Sequence, residues 1–299
     1  MASLKLFGKP HWLKKIFSID TNFQSTSAIL RESRLNTVCE EARCPNKSEC
    51  WSRRTATFMI LGKTCTRSCG FCSVGTGKPL KWDKNEPGNV AKAIKKMGLA
   101  YAVITSVTRD DMPDGGAHAW AQTVREIRNI NPACKVEVLV PDFKGDWGAI
   151  KTVIDVCPDV FAHNLETIPE FYPRVRPQAN YNRSLCLLKK AKEEGLIAKT
   201  GIMLGLGESS EEVVQIMKEA RSVGVDIFTM GQYLQPSKES LPVKRYVYPA
   251  EFVAYRKKGL ALGFAQVEAG PFVRSSYRAE SIASDILSIK SELTGNSLN

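Results

Sequence analysis

Histidine is nearly missing from this chain: His11, His118 and His163 are the only ones in 299 residues. That leaves few ligands for a zinc centre of the cysteine–histidine kind. No apolar run approaches the roughly 20 residues that a membrane-spanning helix needs. No run of Lys and Arg reaches five and no nucleic-acid-binding signature occurs, so nucleic acid is not expected as a partner. The first residues carry Lys5, Lys9, Lys14 and Lys15 but neither the apolar stretch nor the small-residue cleavage site of a secretory leader. The nine cysteines are odd in number, and a disulfide framework belongs to smaller secreted chains. These absences predict a soluble protein of a reducing cytoplasm, with no membrane association.

What is present is a hydrophobic share of 43% and a charged share of 24%, as in soluble globular proteins. The length suits one large domain, and a single α/β barrel of this size is ordinary. The formal charge is +11, from 42 basic and 31 acidic residues, and it favours an acidic protein partner.

Six of the nine cysteines fall between Cys39 and Cys72. Cys65, Cys69 and Cys72 share one short loop at spacings of four and three. An iron–sulfur cube of four irons takes one thiolate per iron. Three neighbouring thiolates hold three corners and leave one iron open to a small molecule. Zinc knuckles usually show two C-x-x-C pairs or a pair followed by histidines, which this loop lacks. Cys39, Cys44 and Cys50 form a second triplet in a polar loop with Pro45 and Asn46 as turn formers. They too call for a metal or cluster and lack a local fourth ligand. Zinc completed by a distant residue is the alternative there. Cys134, Cys157 and Cys186 lie in or beside apolar segments and read as buried, inert thiols. His118 opens a helix and reads as a surface or capping residue.

From Thr57 the chain alternates between short apolar runs and amphipathic stretches. The runs predict parallel strands at Thr57–Leu61, Tyr101–Thr105, Lys135–Val140, Val160–Asn164, Ala198–Leu204, Asp226–Met230 and Ala265–Ala269. Between them the three–four spacing predicts helices at Val90–Met97, Ala117–Ile130, Asp146–Val156, Arg183–Glu194, Ser210–Val223 and Ala250–Leu262. Six or seven βα units imply a parallel sheet in a partial barrel, with an open doubly wound sheet as the runner-up. Barrel chemistry sits in the loops after the strands, and Cys65–Cys72 directly follow the first one. Residues 1–36 read as a polar, mobile lead-in in which Trp12, Leu13, Ile16 and Phe17 make one packed amphipathic turn. Glu292 to Asn299 read as a disordered tail.

Three other strand-end stretches carry candidate ligands. Thr105, opening a polar loop that ends at Gly116, offers hydrogen bonds to a cofactor. Asn164 and Glu166 flank Leu165, so both side chains are expected to point into the barrel mouth, where a carboxylate suits the hydroxyls of a ribose. Arg174 and Arg176 suit bidentate binding of a carboxylate. Arg109 is the third candidate, and chemistry alone does not choose among them.

The pattern of Cys65, Cys69 and Cys72, with Phe71 at the aromatic position, resembles the signature of radical S-adenosylmethionine enzymes. Gly201 to Glu208 is similar to a glycine stretch of that superfamily, which implies backbone packing of Gly201 and Gly205 against an adenine. Adding Cys39, Cys44, Cys50 and the Arg274-Ser275-Ser276-Tyr277 stretch, the chain resembles the lipoyl synthase family over nearly its whole length. Lys9–Lys14 and Thr105–Gly116 support the resemblance. It implies a partial (β/α)6-type TIM barrel over residues 57–270. An N-terminal extension (1–56) and a C-terminal extension (271–299) would carry an auxiliary cluster. It implies two 4Fe–4S clusters and S-adenosylmethionine as cofactors, with Cys65, Cys69 and Cys72 holding the radical-generating cluster. Cys39, Cys44 and Cys50 would hold the sulfur-donating one, with Ser276 as its fourth ligand and a catalytic residue. The implied reaction inserts two sulfur atoms at carbons six and eight of an octanoyl chain on a carrier lysine. The implied partners are octanoylated lipoyl carriers, namely acyltransferase domains of 2-oxoacid dehydrogenases and the glycine-cleavage H protein. An electron donor such as flavodoxin or ferredoxin joins them. The competing readings are a sulfur-inserting enzyme resembling biotin synthase and a zinc protein that binds nucleic acid.

Overall fold

The computed structural model describes residues 8–281. The tail expected at Glu292–Asn299 lies outside them. The main sheet has eight strands: β1 (Asn36–Thr37), β2 (Thr57–Ile60), β3 (Tyr101–Ser106), β4 (Lys135–Leu139), β5 (Val160–Ala162), β6 (Ile197–Leu204), β7 (Ile227–Gln232) and β8 (Gln266–Gly270). They pair in chain order, with only β1 antiparallel to its neighbour. The connecting helices are α2 (Glu86–Met97), α3 (Ala117–Ile130), α4 (Trp147–Ile154), α5 (Tyr181–Glu193), α6 (Ser210–Ser222) and α7 (Pro249–Ala261), preceded by α1 (Thr21–Glu32). Six βα units followed by one more parallel strand make a partial barrel. β8 and β1 stand at opposite ends of the sheet order and are not paired, so one flank is open.

The seven expected parallel strands and six connecting helices are all present, most within two residues of the expected ends. The reason is local. The central strands, such as Thr57–Ile60, Val160–Ala162 and Ile227–Gln232, are buried on both faces, whereas β8 at the sheet's end is half-exposed, and the helices carry an apolar stripe, as Val213, Ile216, Met217 and Ala220 do on α6. Ser209 Oγ accepts from Glu212 N at 3.2 Å while Glu212 Oε2 accepts from Ser209 N at 2.7 Å, closing a capping box. Gly224, at φ +90°, follows the last turn. α2 begins four residues before the expected Val90, because Pro87 supplies the fixed φ of a first turn.

The lead-in departs from expectation. Residues Thr21–Glu32 form a full helix, α1, with Asp20 Oδ1 accepting from Phe23 N at 2.7 Å. Phe23, Thr26 and Leu30 are its buried face. The amphipathic turn is also corrected. His11–Leu13 form a 3-10 turn with Leu13 fully buried, but Ile16 is 89% exposed and Phe17 59% exposed. The cause is Lys15, whose ammonium is drawn to Asn46 and Glu49, turning its neighbours outward. Of the three outlying cysteines, Cys134 is buried, whereas Cys157 and Cys186 are exposed, against the expectation of inert burial.

Inside the barrel, Lys199 Nζ lies 2.8 Å and 3.0 Å from the two Glu137 carboxylate oxygens, and the Tyr101 hydroxyl donates to the same carboxylate at 2.7 Å. Burial pushes the Tyr101 pKa well up, with Glu137 adding to the shift. Tyr101 also packs with Val103, Val160, Ile197, Ile227 and Ala279 from the C-terminal segment. Among the described residues no helix is long and apolar enough to cross a membrane.

Candidate active site

The C-terminal ends of the strands open on one cavity of about 870 Å3. Cys39, Cys44, Cys50, Cys65, Cys69 and Cys72 all line it, as do Arg274, Ser275, Ser276 and Tyr277. All nine cysteines are free thiols.

The Cys65–Cys72 loop leaves β2 and is pinned on three sides. Thr66 N and Oγ1 both donate to Thr108 O, at 3.1 Å and 3.0 Å. Arg67 pairs with Asp110 and with the fully buried Asp142, each at 2.7 Å. Gly70 donates to Val175 O at 3.0 Å and accepts from Leu241 N at 2.9 Å. A β carbon at Gly70 would lie 2.9 Å from Leu241 Cγ, so glycine permits this approach. Phe71 packs against Val175, Leu206 and Tyr233 and also lines the cavity. The thiols lie under backbone N–H groups: Cys65 Sγ accepts from Arg67 N and Thr108 N, and Cys72 Sγ from Val74 N, each at 3.4 Å.

The other triplet sits on two short helices, Val38–Glu41 and Lys47–Ser52, joined through Cys44. Ser73 Oγ donates to Glu41 O at 2.9 Å and ties the two cysteine loops together. Burial pushes Cys39 up to about 11, Cys50 up to about 12 and Cys72 up to about 11, and raises Cys69 as well. Such thiols stay protonated at neutral pH until a metal takes the proton's place. Among the described residues, no three His, Cys, Asp or Glu side chains converge on a single ion. In a cluster each thiolate meets a different iron, so convergence on one point is not required.

The remaining candidates separate. Thr105, Asn164, Glu166, Arg176 and Gly201 line the cavity. Thr105 Oγ1 donates to Leu139 O at 2.9 Å. Asn164 Nδ2 donates to Glu166 Oε1 at 3.1 Å, and burial raises the Glu166 carboxyl against the pull of Arg176 and Asn164. Of the three arginines only Arg176 reaches the cavity. Arg109 is paired with Asp111 at 2.9 Å, and Arg174 lies over the Phe171 ring. Gly205 is not in the cavity wall; at φ +103° it forms a turn whose N–H groups bind Glu208. His163 lines the cavity with both ring nitrogens engaged, by Val140 O at 2.8 Å and Ser184 Oγ at 2.9 Å. Nδ1 faces a carbonyl and so donates, and Nε2 accepts. Burial holds its pKa down at about 4, so the ring is neutral.

The wall also holds features that spacing does not reveal. Ser106 Oγ, Asn164 Oδ1 and Arg176 Nε are buried without a hydrogen-bond partner among the described residues. Arg274 is a half-buried cation whose Nη1 donates to Val273 O at 2.7 Å and which forms no ion pair with a carboxylate among the described residues; burial pulls its pKa below the usual arginine value, against the pull of Cys44 and Glu166. Unmatched donors and cations around six thiols fit an anionic, polar occupant. The only sequence signal for Ser106 is its place at a strand's C-terminal end.

Gly231, on β7, lets the C-terminal segment cross the mouth. A β carbon there would lie 2.0 Å from Val273 O and 3.0 Å from Arg274 Nη1. Gly231→Ala is expected to cost about 1–3 kcal/mol by overpacking. Thermal denaturation checks this against Gly88→Ala, whose β carbon meets nothing within 4 Å. Equal melting temperatures would refute the close crossing.

A family model described as the Radical SAM superfamily matches residues 59–220. A lipoyl synthase from Rubrobacter xylanophilus is 57% identical over 280 residues, covering 93% of this chain and 87% of its own. Another from Chloroflexus aurantiacus is 50% identical over 273 residues, covering 91% and 89%. Among solved structures, Streptococcus suis SuiB bound to S-adenosylmethionine is similar with a TM-score of 0.57 at 11% identity, over 75% of this chain and 53% of that one. Methylornithine synthase gives 0.50 at 15% identity over 93% and 90%. These two likenesses concern the fold alone. The family match, with identities of 50–57% across more than nine-tenths of the sequence, makes this chain a member of the lipoyl synthase family within the radical SAM superfamily.

Proposed function

We propose that the chain inserts two sulfur atoms at carbons six and eight of an octanoyl group held as an amide on a carrier lysine. The observation that carries this reading is that both cysteine triplets line one cavity. Cys65, Cys69 and Cys72 are the ligands for one 4Fe–4S cluster, and Cys39, Cys44 and Cys50 with Ser276 for the other. With S-adenosylmethionine, the first supplies a carbon radical able to abstract hydrogen from an unactivated C–H bond, and the second supplies sulfur.

The chain's own part is placement and exclusion of water. Arg176, with its free Nε, is suited to the carboxylate of S-adenosylmethionine, and Asn164 and Glu166 to its ribose. Thr105 and the unpartnered Ser106 hydroxyl offer further hydrogen bonds. Gly201 lets Thr229 and Asn164 close in on the backbone at this point of the wall, since a β carbon there would sit 2.2 Å from Thr229 Oγ1 and 3.3 Å from Asn164 Oδ1. Met59, Val103, Leu139 and Ile202 give the cavity an apolar wall suited to an acyl chain. Holding both centres at one cavity brings substrate carbon and sulfur together without a diffusive step.

The enzyme acts on lipoyl carrier proteins. We assign it the acyltransferase domains of 2-oxoacid dehydrogenases and the glycine-cleavage H protein, a flavodoxin or ferredoxin as reductant, and a cytoplasmic location that keeps its free thiols reduced. The test is incubation with an octanoylated carrier peptide, S-adenosylmethionine and a reductant, followed by mass spectrometry. The expected product carries two added sulfurs in place of two hydrogens. Unchanged peptide under anaerobic reducing conditions would refute the reading. Anaerobically purified protein is expected to hold about eight irons per chain and no zinc. The +11 charge leads to a further expectation. Carrier affinity should fall as salt passes physiological strength, where the screening length is about 8 Å. Titrations at several salt concentrations check it, and a flat response would remove electrostatic steering.

A further inference from the structure

The open flank of the barrel is closed by a seam between two segments far apart in sequence. Glu49 immediately precedes Cys50, and Tyr277 immediately follows Ser276. The Tyr277 hydroxyl donates to Glu49 Oε1 at 2.7 Å. Lys15 Nζ donates to Glu49 Oε2 and to Asn46 Oδ1, each at 2.6 Å. Asn46 Nδ2 donates in turn to Phe272 O at 2.7 Å. The Lys15 ammonium also lies 5.2 Å from the Phe272 ring centre and 5.5 Å from that of Tyr277. The cysteine loop therefore grips the C-terminal segment at Phe272 and at Tyr277, one point on each side of Ser276. The segment between is a turn, and the Ser276 hydroxyl makes no hydrogen bond among the described residues.

We infer that the Glu49–Tyr277 clasp is a positioning device that sets Ser276 beside Cys50; this rests on Ser276 being a ligand of the auxiliary site. A neutral hydroxyl binds iron far more weakly than a thiolate does. Such a donor cannot draw its own segment into place against the entropy of ordering it. The order must come from neighbours, and the clasp supplies it from the residue next to a thiolate ligand. Glu49 and Tyr277 line the same cavity, and their part is to act through Ser276.

The experiment uses the full chain with Cys65, Cys69 and Cys72 changed to alanine, so that only the auxiliary cluster remains. Its Mössbauer spectrum and the rate of iron loss to a chelator are measured. Tyr277→Phe removes only the hydroxyl. It is expected to give the same spectral change as Ser276→Ala and iron loss on the order of tenfold faster, the scale of one charge-assisted hydrogen bond. Glu49→Ala should match it, and Glu49→Gln, whose amide oxygen still accepts from Tyr277, should restore most of the parent behaviour. Combining Tyr277→Phe with Ser276→Ala should add nothing to Ser276→Ala alone. A parent-like Tyr277→Phe beside an altered Ser276→Ala overturns the clasp. So does a full additional loss in the double variant, which would make the effect general destabilisation. A parent-like Ser276→Ala removes the ligand assignment and the clasp's role with it.

Discussion

Replacing Cys69 with alanine is expected to abolish formation of 5′-deoxyadenosine while leaving the other cysteine site loaded. Cys69 is the middle thiol of its triplet, in a loop fixed by Thr108, Val175, Leu241 and the Arg67 ion pairs. None of those contacts involves the Cys69 side chain, so the loop keeps its course in the variant. Two thiolates leave two iron corners without protein ligands, which is too few to retain a cube. Cys39 and Cys50 stand on their own short helices, with Cys44 in the turn between them, and all three keep their setting. Iron should fall from about eight to about four per chain. Chromatography of the nucleoside after chemical reduction, with iron analysis of the same sample, checks both halves. Reductive cleavage of S-adenosylmethionine that survives in Cys69→Ala would overturn the assignment.

The second large effect is expected at Ser276. Ser276→Cys should retain iron at both sites and still allow 5′-deoxyadenosine to form, yet lose sulfur insertion. An alkoxide or hydroxyl oxygen is a harder donor than thiolate and holds iron less firmly. That weakness suits a site that must give up sulfur, and a thiolate at the same position would lock it. The alternative role for Ser276 is to cap a helix beginning at Tyr277 or Arg278. The helical residues begin at Ala279, and residues up to Arg278 form a turn, so Ser276 is not at that capping position. Product analysis by mass spectrometry, with iron content in parallel, separates the outcomes. Full product from Ser276→Cys at the unmodified rate would remove the lability argument. A normal auxiliary-site spectrum and full activity in Ser276→Ala would remove the ligand role.

The sequence by itself determined the βα alternation, because apolar runs and three–four spacing act within a dozen residues of chain. It also determined the two cysteine triplets, whose spacing is a property of single loops. α1 was legible in principle from Asp20 and from Phe23, Thr26 and Leu30 at helical spacing, but the polar residues between them masked it. Only the tertiary structure decided what lies opposite what. It put both triplets around one cavity, because the open flank of the barrel is filled by the two terminal segments. It left Arg176 as the one of the three arginines at the cavity, with Arg109 on a carboxylate and Arg174 over a phenyl ring. It placed Gly205 in a turn outside the wall, although its spacing is that of the glycine stretch. The buried Lys199–Glu137 pair, the Gly231 crossing and the Glu49–Tyr277 clasp join residues from 42 to 228 positions apart. Periodicity carries no information at that range; packing against a shared cavity does.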